Sequence, residues 1–266
     1  MTILALFPSG AGRDGRPERR FDDGASARPG PPADSATQSG SVSGTASDTF
    51  PIPEGGKTGA SPEWGRARLP AIVNPTSIIP KSRTSAVDSL FSRAGAGDRM
   101  FRSHALHVAA LSVRVGAAIG LRPPELGTLE LAAKLHDVGK LTVPRSILAK
   151  PGPLDDEEWA AMRRHPGEGA RLLAPYVPSA DVLAIVRSHH ERWDGAGYPE
   201  GLSGEQIPLG ARIVAVVDAF CAMIEPRPYR ATLDAEAARS ELLAQAGRQF
   251  DPTCAEEAHR LTGAAA

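Results

Sequence analysis

Histidine is concentrated in one part of the chain and is the residue type best suited there to chemistry. All seven histidines lie beyond residue 103, and six of them fall between positions 104 and 190. These six are His104, His107, His136, His165, His189 and His190. Imidazole and carboxylate ligands suit iron, manganese, zinc or nickel. The clustering is therefore the first indication of a metal site.

Two aspartates accompany the histidines in apolar surroundings. Asp137 follows His136 directly after an apolar stretch, and Asp218 lies between Val217 and Ala219 in the most apolar segment of the chain. An unpaired buried carboxylate is costly, or its pKa rises sharply. A bound cation would remove that cost.

Each of these residues has a structural alternative when it is considered alone. A single histidine on an apolar face is more often a hydrogen-bonded core residue, and His107, one turn from His104, is better placed to support a ligand than to be one. His259 has charged neighbours in a terminal segment and is expected to face solvent. Asp218 could make a helix–helix hydrogen bond. The conjunction of five histidines and two aspartates on separate helices favours one shared centre.

The elements that would carry these residues are helices. Apolar residues recur at helical spacing from residue 83, and no alternating strand pattern of useful length is present. We predict an all-α domain of seven helices. Six of them cover His104 to Ile119, about Glu125 to Asp137, near Asp155 to the interruption at Pro166, Leu209 to Ile224, Asp234 to Ala246, and Pro252 to Leu261. The other is capped by Ser179 and has Val182, Val186, His189 and Trp193 on one face.

The N-terminal third of the chain has a different composition. Gly, Pro and Ser make up 27 of the first 66 residues, and no helical or strand periodicity is present there. Such a segment cannot bury enough apolar surface to offset its ordering entropy. We predict a disordered tail or linker over residues 1–82 and one domain over residues 83–263.

Charge and hydropathy exclude several classes of protein. The net charge of −1 across 266 residues gives no overall attraction to nucleic acid polymers or to an anionic membrane. No apolar run approaches the roughly 20 residues of a spanning helix, and residues 1–7 are too short for a signal peptide. Cys221 and Cys254 are most simply reduced thiols. A cytoplasmic location is expected.

Residues 98–254 resemble the HD superfamily of metal-dependent phosphohydrolases, and more closely its HD-GYP subgroup. The resemblance depends on several motifs in a fixed order. They are HDVGK at His136–Lys140, KPGPL at Lys150–Leu154, His165-Pro166, HHERWDGAGYP at His189–Pro199, and RPYR at Arg227–Arg230. The long HHERWDGAGYP run is the most specific of these motifs.

The resemblance implies an HD-type helical bundle with two divalent metal ions, most often iron or manganese. One ion would be held by His104, His136, Asp137 and Asp218, and the other by His165, His189 and His190, with Asp137 bridging the pair. Lys140 would contact the substrate phosphate or the attacking water, and Arg227 and Arg230 would hold phosphates. The GYP turn, residues 195–199, is expected to be an exposed structural loop. Its Gly197-Tyr198-Pro199 segment resembles one linked to docking of cyclic di-GMP synthase (GGDEF) domains.

The resemblance also implies a function, hydrolysis of cyclic di-GMP to pGpG or GMP in bacterial second-messenger signalling. Two alternatives stay open: a catalytically weak cyclic-dinucleotide sensor or docking module, and a hydrolase of another phosphate ester such as 3′,3′-cyclic GMP-AMP or a nucleotide monophosphate. Three positions depart from the family pattern. Met100 stands where some members have a third-metal Glu, Cys221 where many have Asp, and His107 where Arg is usual. None of these positions is an implied ligand to the two ions.

Overall fold

The computed structural model describes residues 81–96, 99–226 and 232–263, and within them all regular structure is helical. The α-helices are α1 Lys81–Ala94, α2 Arg99–Ile119, α3 Pro123–Leu135, α4 Arg145–Leu148, α5 Asp156–Met162, α6 His165–Leu173, α7 Ala180–Ser188, α8 Leu209–Ile224, α9 Ala235–Ala244 and α10 Pro252–Gly263. Two 3₁₀ turns cover Val138–Thr142 and Gly204–Gln206. The prediction of an all-α fold is confirmed.

Several helix ends follow from local capping chemistry, as the sequence predicts. The Ser179 hydroxyl accepts the Val182 N–H at the start of α7, and the Asp234 carboxylate accepts the Ala237 N–H at the start of α9. Pro252, whose missing N–H costs nothing at a first helical position, begins α10. The apolar helix α8 has the predicted limits.

Other boundaries differ from the sequence predictions. Helix α3 ends at Leu135 rather than near Asp137, and the chain then tightens into the first 3₁₀ turn. The helix predicted from near Asp155 up to Pro166 ends earlier, at Met162, and Pro166 instead lies in the first turn of a further helix, α6, where its ring is tolerated. Trp193 lies beyond the end of α7, so it does not share that helix's face. Helix α1 begins at Lys81, and residues 1–80 of the predicted tail lie outside the described residues.

The core is built around α8, which packs on α2, α7, α9 and α10. Helix α3 packs on α2 and α7 and supplies fully buried leucines, and α1 contributes Val87 and Phe91. This arrangement brings the middle of α8, the start of α2 and the end of α3 to one place. In the described part of the chain, no helix is both long enough and apolar enough to cross a membrane.

Gly139 explains how the turn after α3 reaches α6. A Cβ on Gly139 would lie 1.9 Å from the carbonyl oxygen of His165 and 2.6 Å from the backbone nitrogen of Gly169. Both contacts are with backbone atoms, which cannot rotate away. Only glycine allows this approach, and the approach brings the turn that carries Asp137 against the first residue of α6.

Candidate metal centre

The seven predicted ligands come from five parts of the fold and meet in one cluster. The cluster comprises His104 on α2, His136 and Asp137 after α3, His165 at the start of α6, His189 and His190 after α7, and Asp218 within α8. Two groups have potential ligand atoms within 4.8 Å of one another: Asp137 with His165, His189 and His190, and Asp137 with His104 and His136. Asp137 belongs to both groups.

Asp218 joins the group that contains His104. Its Oδ1 atom lies 2.8 Å from Nε2 of His104 and 3.8 Å from Nε2 of His136. On the other side of Asp137, the Nε2 atoms of His165 and His189 are 3.4 Å apart. The rings of His189 and His190 have centroids 4.1 Å apart. The potential ligand atoms of the cluster therefore lie close to one another.

Three of the histidines are fixed by backbone carbonyls. Nδ1 of His136, His165 and His189 donates to the carbonyl oxygen three residues earlier, at 2.7 to 2.8 Å. A carbonyl oxygen only accepts, so Nδ1 carries the proton in each ring. Nε2 is then the nitrogen left to face the cluster, which is the usual arrangement of a ligating histidine with a supported second nitrogen.

The charges in the cluster suit a cation. Burial would raise the pKa of Asp137, but Lys140 and His136 hold that pKa well below its usual range. Burial and the neighbouring rings of His136 and His165 lower the pKa of His189 to about 3. Burial and His189 likewise lower the pKa of His190. Near pH 7 Asp137 is thus an ionised carboxylate and His189 and His190 are neutral imidazoles, the ligand forms that metals need.

Unsatisfied buried atoms provide the test of whether a metal fits. Nε2 of His136 and Oδ1 of Asp137 are buried and have no hydrogen-bond partner among the described groups. Buried polar atoms are otherwise nearly always paired. A divalent cation between these donors would satisfy both atoms, so the residues present fit the metal centre that the sequence predicts.

His104 carries a proton that a cation would have to displace. Burial alone would lower its pKa, but hydrogen bonds to Asp218 and Glu225 raise it to about 9. Glu225 was not anticipated from the sequence. Its Oε2 atom accepts from Nδ1 of His104 at 2.7 Å, and its Oε1 atom accepts from Nδ1 of His107 at 2.9 Å.

Lys140 lies at the open side of the cluster. Its Nζ atom is 2.5 Å from Oδ2 of Asp137, and about a third of its side chain, 32%, is exposed. The ammonium group is thus held beside the cluster and is also accessible. This position agrees with the predicted contact to a substrate phosphate. The other predicted phosphate contacts, Arg227 and Arg230, lie outside the described residues.

The GYP loop is more closely connected to the cluster than the sequence predicted. The Tyr198 ring lies 5.0 Å from the His190 ring, centroid to centroid, and burial raises the pKa of its phenol. The Arg163 guanidinium lies over the Tyr198 ring, 5.8 Å from its centroid. The expectation of an exposed structural loop is therefore wrong for Tyr198, because its ring covers a candidate ligand.

Two features hold this loop in place. The buried Glu191 carboxylate accepts the backbone N–H groups of Glu200 and Leu202, which closes the loop on itself. A Cβ on Gly197 would lie 2.4 Å from the backbone nitrogen of Arg192, so glycine is required there for close approach. Gly195 has the predicted positive φ, +78°. The role of Glu191 was missed because the N–H groups that donate to its carboxylate are brought together only in the folded loop.

The remaining sequence expectations have mixed outcomes. Met100, at the position of a third-metal Glu in some members, is exposed, and Cys221 is buried. His107 does support a candidate ligand, although it acts through Glu225. His259 was expected to face solvent, but it is half-buried on α10, which packs on α9, α2 and α8, and its Nδ1 atom is buried with no hydrogen-bond partner among the described groups.

Comparison with known proteins gives a consistent family assignment. The HD domain family matches residues 81–254. The chain is 40% identical over 193 residues to "Cyclic di-GMP phosphodiesterase response regulator RpfG" of Xanthomonas campestris pv. campestris, with coverage of 71% of this chain and 50% of that protein. It is 42% identical over 162 residues to "Cyclic di-GMP phosphodiesterase PA4108" of Pseudomonas aeruginosa, with coverage of 60% and 39%.

A third relative and a solved structure complete the comparison. The "3'3'-cGAMP-specific phosphodiesterase 2" of Vibrio cholerae is 40% identical over 172 residues, with coverage of 64% of this chain and 33% of that protein. The matched region thus spans half or less of each of these relatives. "Bd1817, a HDG"Y"P protein from Bdellovibrio bacteriovorus" has a similar fold, with a TM-score of 0.54 at 20% identity over 69% of this chain and 64% of that chain.

Proposed function

The chain belongs to the HD domain family, within its HD-GYP group, and we propose that it is a metal-dependent phosphodiesterase that hydrolyses cyclic di-GMP to pGpG or GMP. The observation that carries the proposal is the position of Asp137. Its carboxylate lies in both groups of candidate ligands, and a carboxylate shared in this way is what a pair of adjacent metal ions needs.

The proposed ligand sets follow the two groups. His104, His136, Asp137 and Asp218 would hold one ion, and Asp137, His165, His189 and His190 the other; iron or manganese is proposed. When bound, such a pair lowers the pKa of a water nucleophile and stabilises negative charge on the phosphodiester oxygens. Four of these imidazoles have fixed orientations, since their Nδ1 atoms are already engaged elsewhere; they are His104, His136, His165 and His189.

The chain's cationic residues have the complementary role of holding the substrate. Lys140 is proposed to contact the phosphate next to the centre, because its ammonium group is held beside Asp137 and is accessible. Arg227 and Arg230 are proposed to grip substrate phosphates, for which guanidinium groups are suited through bidentate hydrogen bonds. The Tyr198 ring lies beside His190 and is proposed to limit the access of water to one side of that imidazole.

The docking of a cyclic di-GMP synthase domain at Gly197-Tyr198-Pro199 is part of the proposal. Because the Tyr198 ring packs inward, a partner would meet the exposed Pro199 and Glu200 instead. We propose that the reaction takes place in the cytoplasm, and the buried free thiols of Cys221 and Cys254 agree with a reducing compartment.

A second candidate substrate has a specific observation in its favour. A relative 40% identical to this chain is named as specific for 3′3′-cGAMP. The two cyclic dinucleotides differ in one base, and a metal centre that acts on phosphates does not by itself distinguish them. Base contacts would have to set the preference.

One experiment separates the candidate functions. Protein loaded anaerobically with iron or manganese is incubated with cyclic di-GMP and, separately, with 3′,3′-cyclic GMP-AMP, and the products are separated by chromatography. We expect pGpG or GMP from cyclic di-GMP at the higher rate. Faster cleavage of cyclic GMP-AMP would favour the second substrate. Binding of both dinucleotides with no product would favour the sensor alternative and overturn the proposal. The Asp137→Ala variant provides the control for contaminating activity.

A further inference from the structure

His104 differs from the other candidate ligands in how its second nitrogen is held. Nδ1 of His136, His165 and His189 donates to backbone carbonyls, whereas Nδ1 of His104 donates to the side chain of Glu225 at 2.7 Å. Glu225 lies 121 residues further along the chain, directly after α8. His104 is thus the one ligand among these four whose orientation depends on another side chain.

Position in the helix explains the difference. The carbonyl groups that hold the other three histidines, Ala133, Met162 and Val186, belong to the last turns of α3, α5 and α7. Carbonyls in a last turn lack an intrahelical donor and are free to accept from an imidazole. His104 lies inside α2, where the preceding carbonyls accept helical N–H groups. An acceptor for its Nδ1 must therefore come from elsewhere in the fold.

Glu225 is itself fixed in place. Its second oxygen, Oε1, accepts from Nδ1 of His107 at 2.9 Å, so two rings one turn apart on α2 grip one carboxylate. The Glu225 side chain is 15% exposed. Both of its oxygens accept from imidazole N–H groups, as those of an ionised carboxylate can. A ring whose N–H group is bonded to an anionic carboxylate binds a cation through its other nitrogen more strongly than a ring bonded to a carbonyl does.

We propose that Glu225 is a positioning residue of the metal centre, which holds Nδ1 of His104 so that Nε2 faces Asp218 and the cation, while His107 fixes the carboxylate. The inference rests on the proposed metal centre. Loss of such a supporting group typically lowers metal affinity by about 10- to 100-fold. The effect should fall on the ion held by His104, since the site formed by His165, His189 and His190 does not contact Glu225.

The test compares Glu225→Ala, Glu225→Gln and His107→Ala with the unchanged protein. Manganese affinity is measured for each by competition with a chromophoric chelator, and the unfolding of each metal-free protein is measured by circular dichroism. We expect Glu225→Ala to weaken one of two manganese sites by about 10- to 100-fold. Glu225→Gln should lose less, because its single amide oxygen can still accept from His104. His107→Ala, which keeps both oxygens, should lose least.

A second readout does not involve metal. In metal-free protein with ¹⁵N-labelled histidine, the ring shifts of His104 report which nitrogens carry a proton. We expect Glu225→Gln to shift the Nδ1 signal of His104 and to leave that of His136 unchanged. A residue with only a structural role would change unfolding without a selective change at one metal site.

The outcomes distinguish this inference from the proposed function. If the unchanged protein binds no manganese, the proposed function fails, and the inference fails with it. In another outcome, the unchanged protein binds two ions, while Glu225→Gln and His107→Ala both keep its metal affinities and its ¹⁵N chemical shifts at His104. Glu225 then has no positioning role, even where Glu225→Ala fails to fold. A loss at one site in the order Ala, Gln, then His107→Ala supports the inference.

Discussion

Nε2 of His165 lies 3.3 Å from Oδ1 of Asp137, so the carboxylate that follows His136 in sequence contacts the histidine that opens α6. The other carboxylate oxygen, Oδ2, lies 3.4 Å from Nε2 of His136. One side chain therefore links two groups of donors that come from different helices. Changes at Asp137 are expected to act on both groups together.

Replacement of Asp137 by Ala should remove both metals and abolish hydrolysis. The reason is that each proposed ligand set loses its shared carboxylate. Elemental analysis of protein purified without chelator measures the metal content, and product chromatography measures the hydrolysis. Lys140→Ala is the matched comparison, because it should keep both metals and lower the rate. An Asp137→Ala protein that retained two metals and most of its activity would place the catalytic centre elsewhere.

Replacement of Gly139 by Ala should destabilise the fold by about 2–4 kcal/mol. The added Cβ would meet the backbone of α6, 1.9 Å from the His165 carbonyl oxygen, and neither segment can yield without moving a helix. Denaturant unfolding of the metal-free protein measures the change.

Gly167→Ala is the control for this prediction. Gly167 lies in α6, the helix that Gly139 approaches, but a Cβ on Gly167 meets nothing within 4 Å. Alanine should therefore be tolerated, with a gain of up to ~1 kcal/mol from its better helix propensity. Equal stability of the two variants would contradict the close approach at Gly139.

The local part of the fold could be predicted from the sequence, because caps and helical periodicity act within a few residues. Ser179, Asp234 and the limits of α8 are examples. The end of the helix that begins near Asp155 was predicted wrongly at Pro166. Proline can follow the end of one helix, but it is equally compatible with the first turn of the next helix. The distinction depends on where the chain turns, and that is set by the packing of Gly139 against α6.

The candidate ligands could also be identified from the sequence, since their motifs are specific, but their supporting groups could not. Glu225 contacts His104 across 121 residues, and no local pattern marks an acidic residue as the partner of a distant ring. The inward position of Tyr198 is similar, because turn chemistry determines the backbone and does not say what the ring covers. Long-range packing decides both features.

Replacement of Arg230 by Ala should weaken cyclic di-GMP binding by roughly 10- to 100-fold, the cost of losing one charged hydrogen-bonded contact of about 1.5–3 kcal/mol. Metal content should stay unchanged, since neither Arg230 nor Arg227 is a proposed ligand. Isothermal titration with a non-hydrolysable analogue provides the affinity. Unchanged affinity in both Arg227→Ala and Arg230→Ala would remove the RPYR segment from the substrate site.

A chain shortened to residues 81–266 should keep the metal content and the rate of hydrolysis, because residues 1–80 belong to the predicted tail. A chain that starts at residue 95 should be much less stable, since it lacks α1 and leaves the core without Val87 and Phe91. Burial of each such side chain contributes about 1.5–3 kcal/mol. A large loss of stability in the longer of the two chains would show that the N-terminal segment packs on the domain.

Two metal ions, held through one shared carboxylate, are proposed to support cleavage of cyclic di-GMP. The most direct test is a titration of metal-free protein with manganese under anaerobic conditions, in which bound metal and pGpG or GMP formation are measured in the same samples. We expect hydrolysis to be absent without metal and to rise to its maximum only as the second equivalent binds. Full activity at one equivalent, or hydrolysis that persists without metal, would show that the reaction does not need the proposed pair of ions.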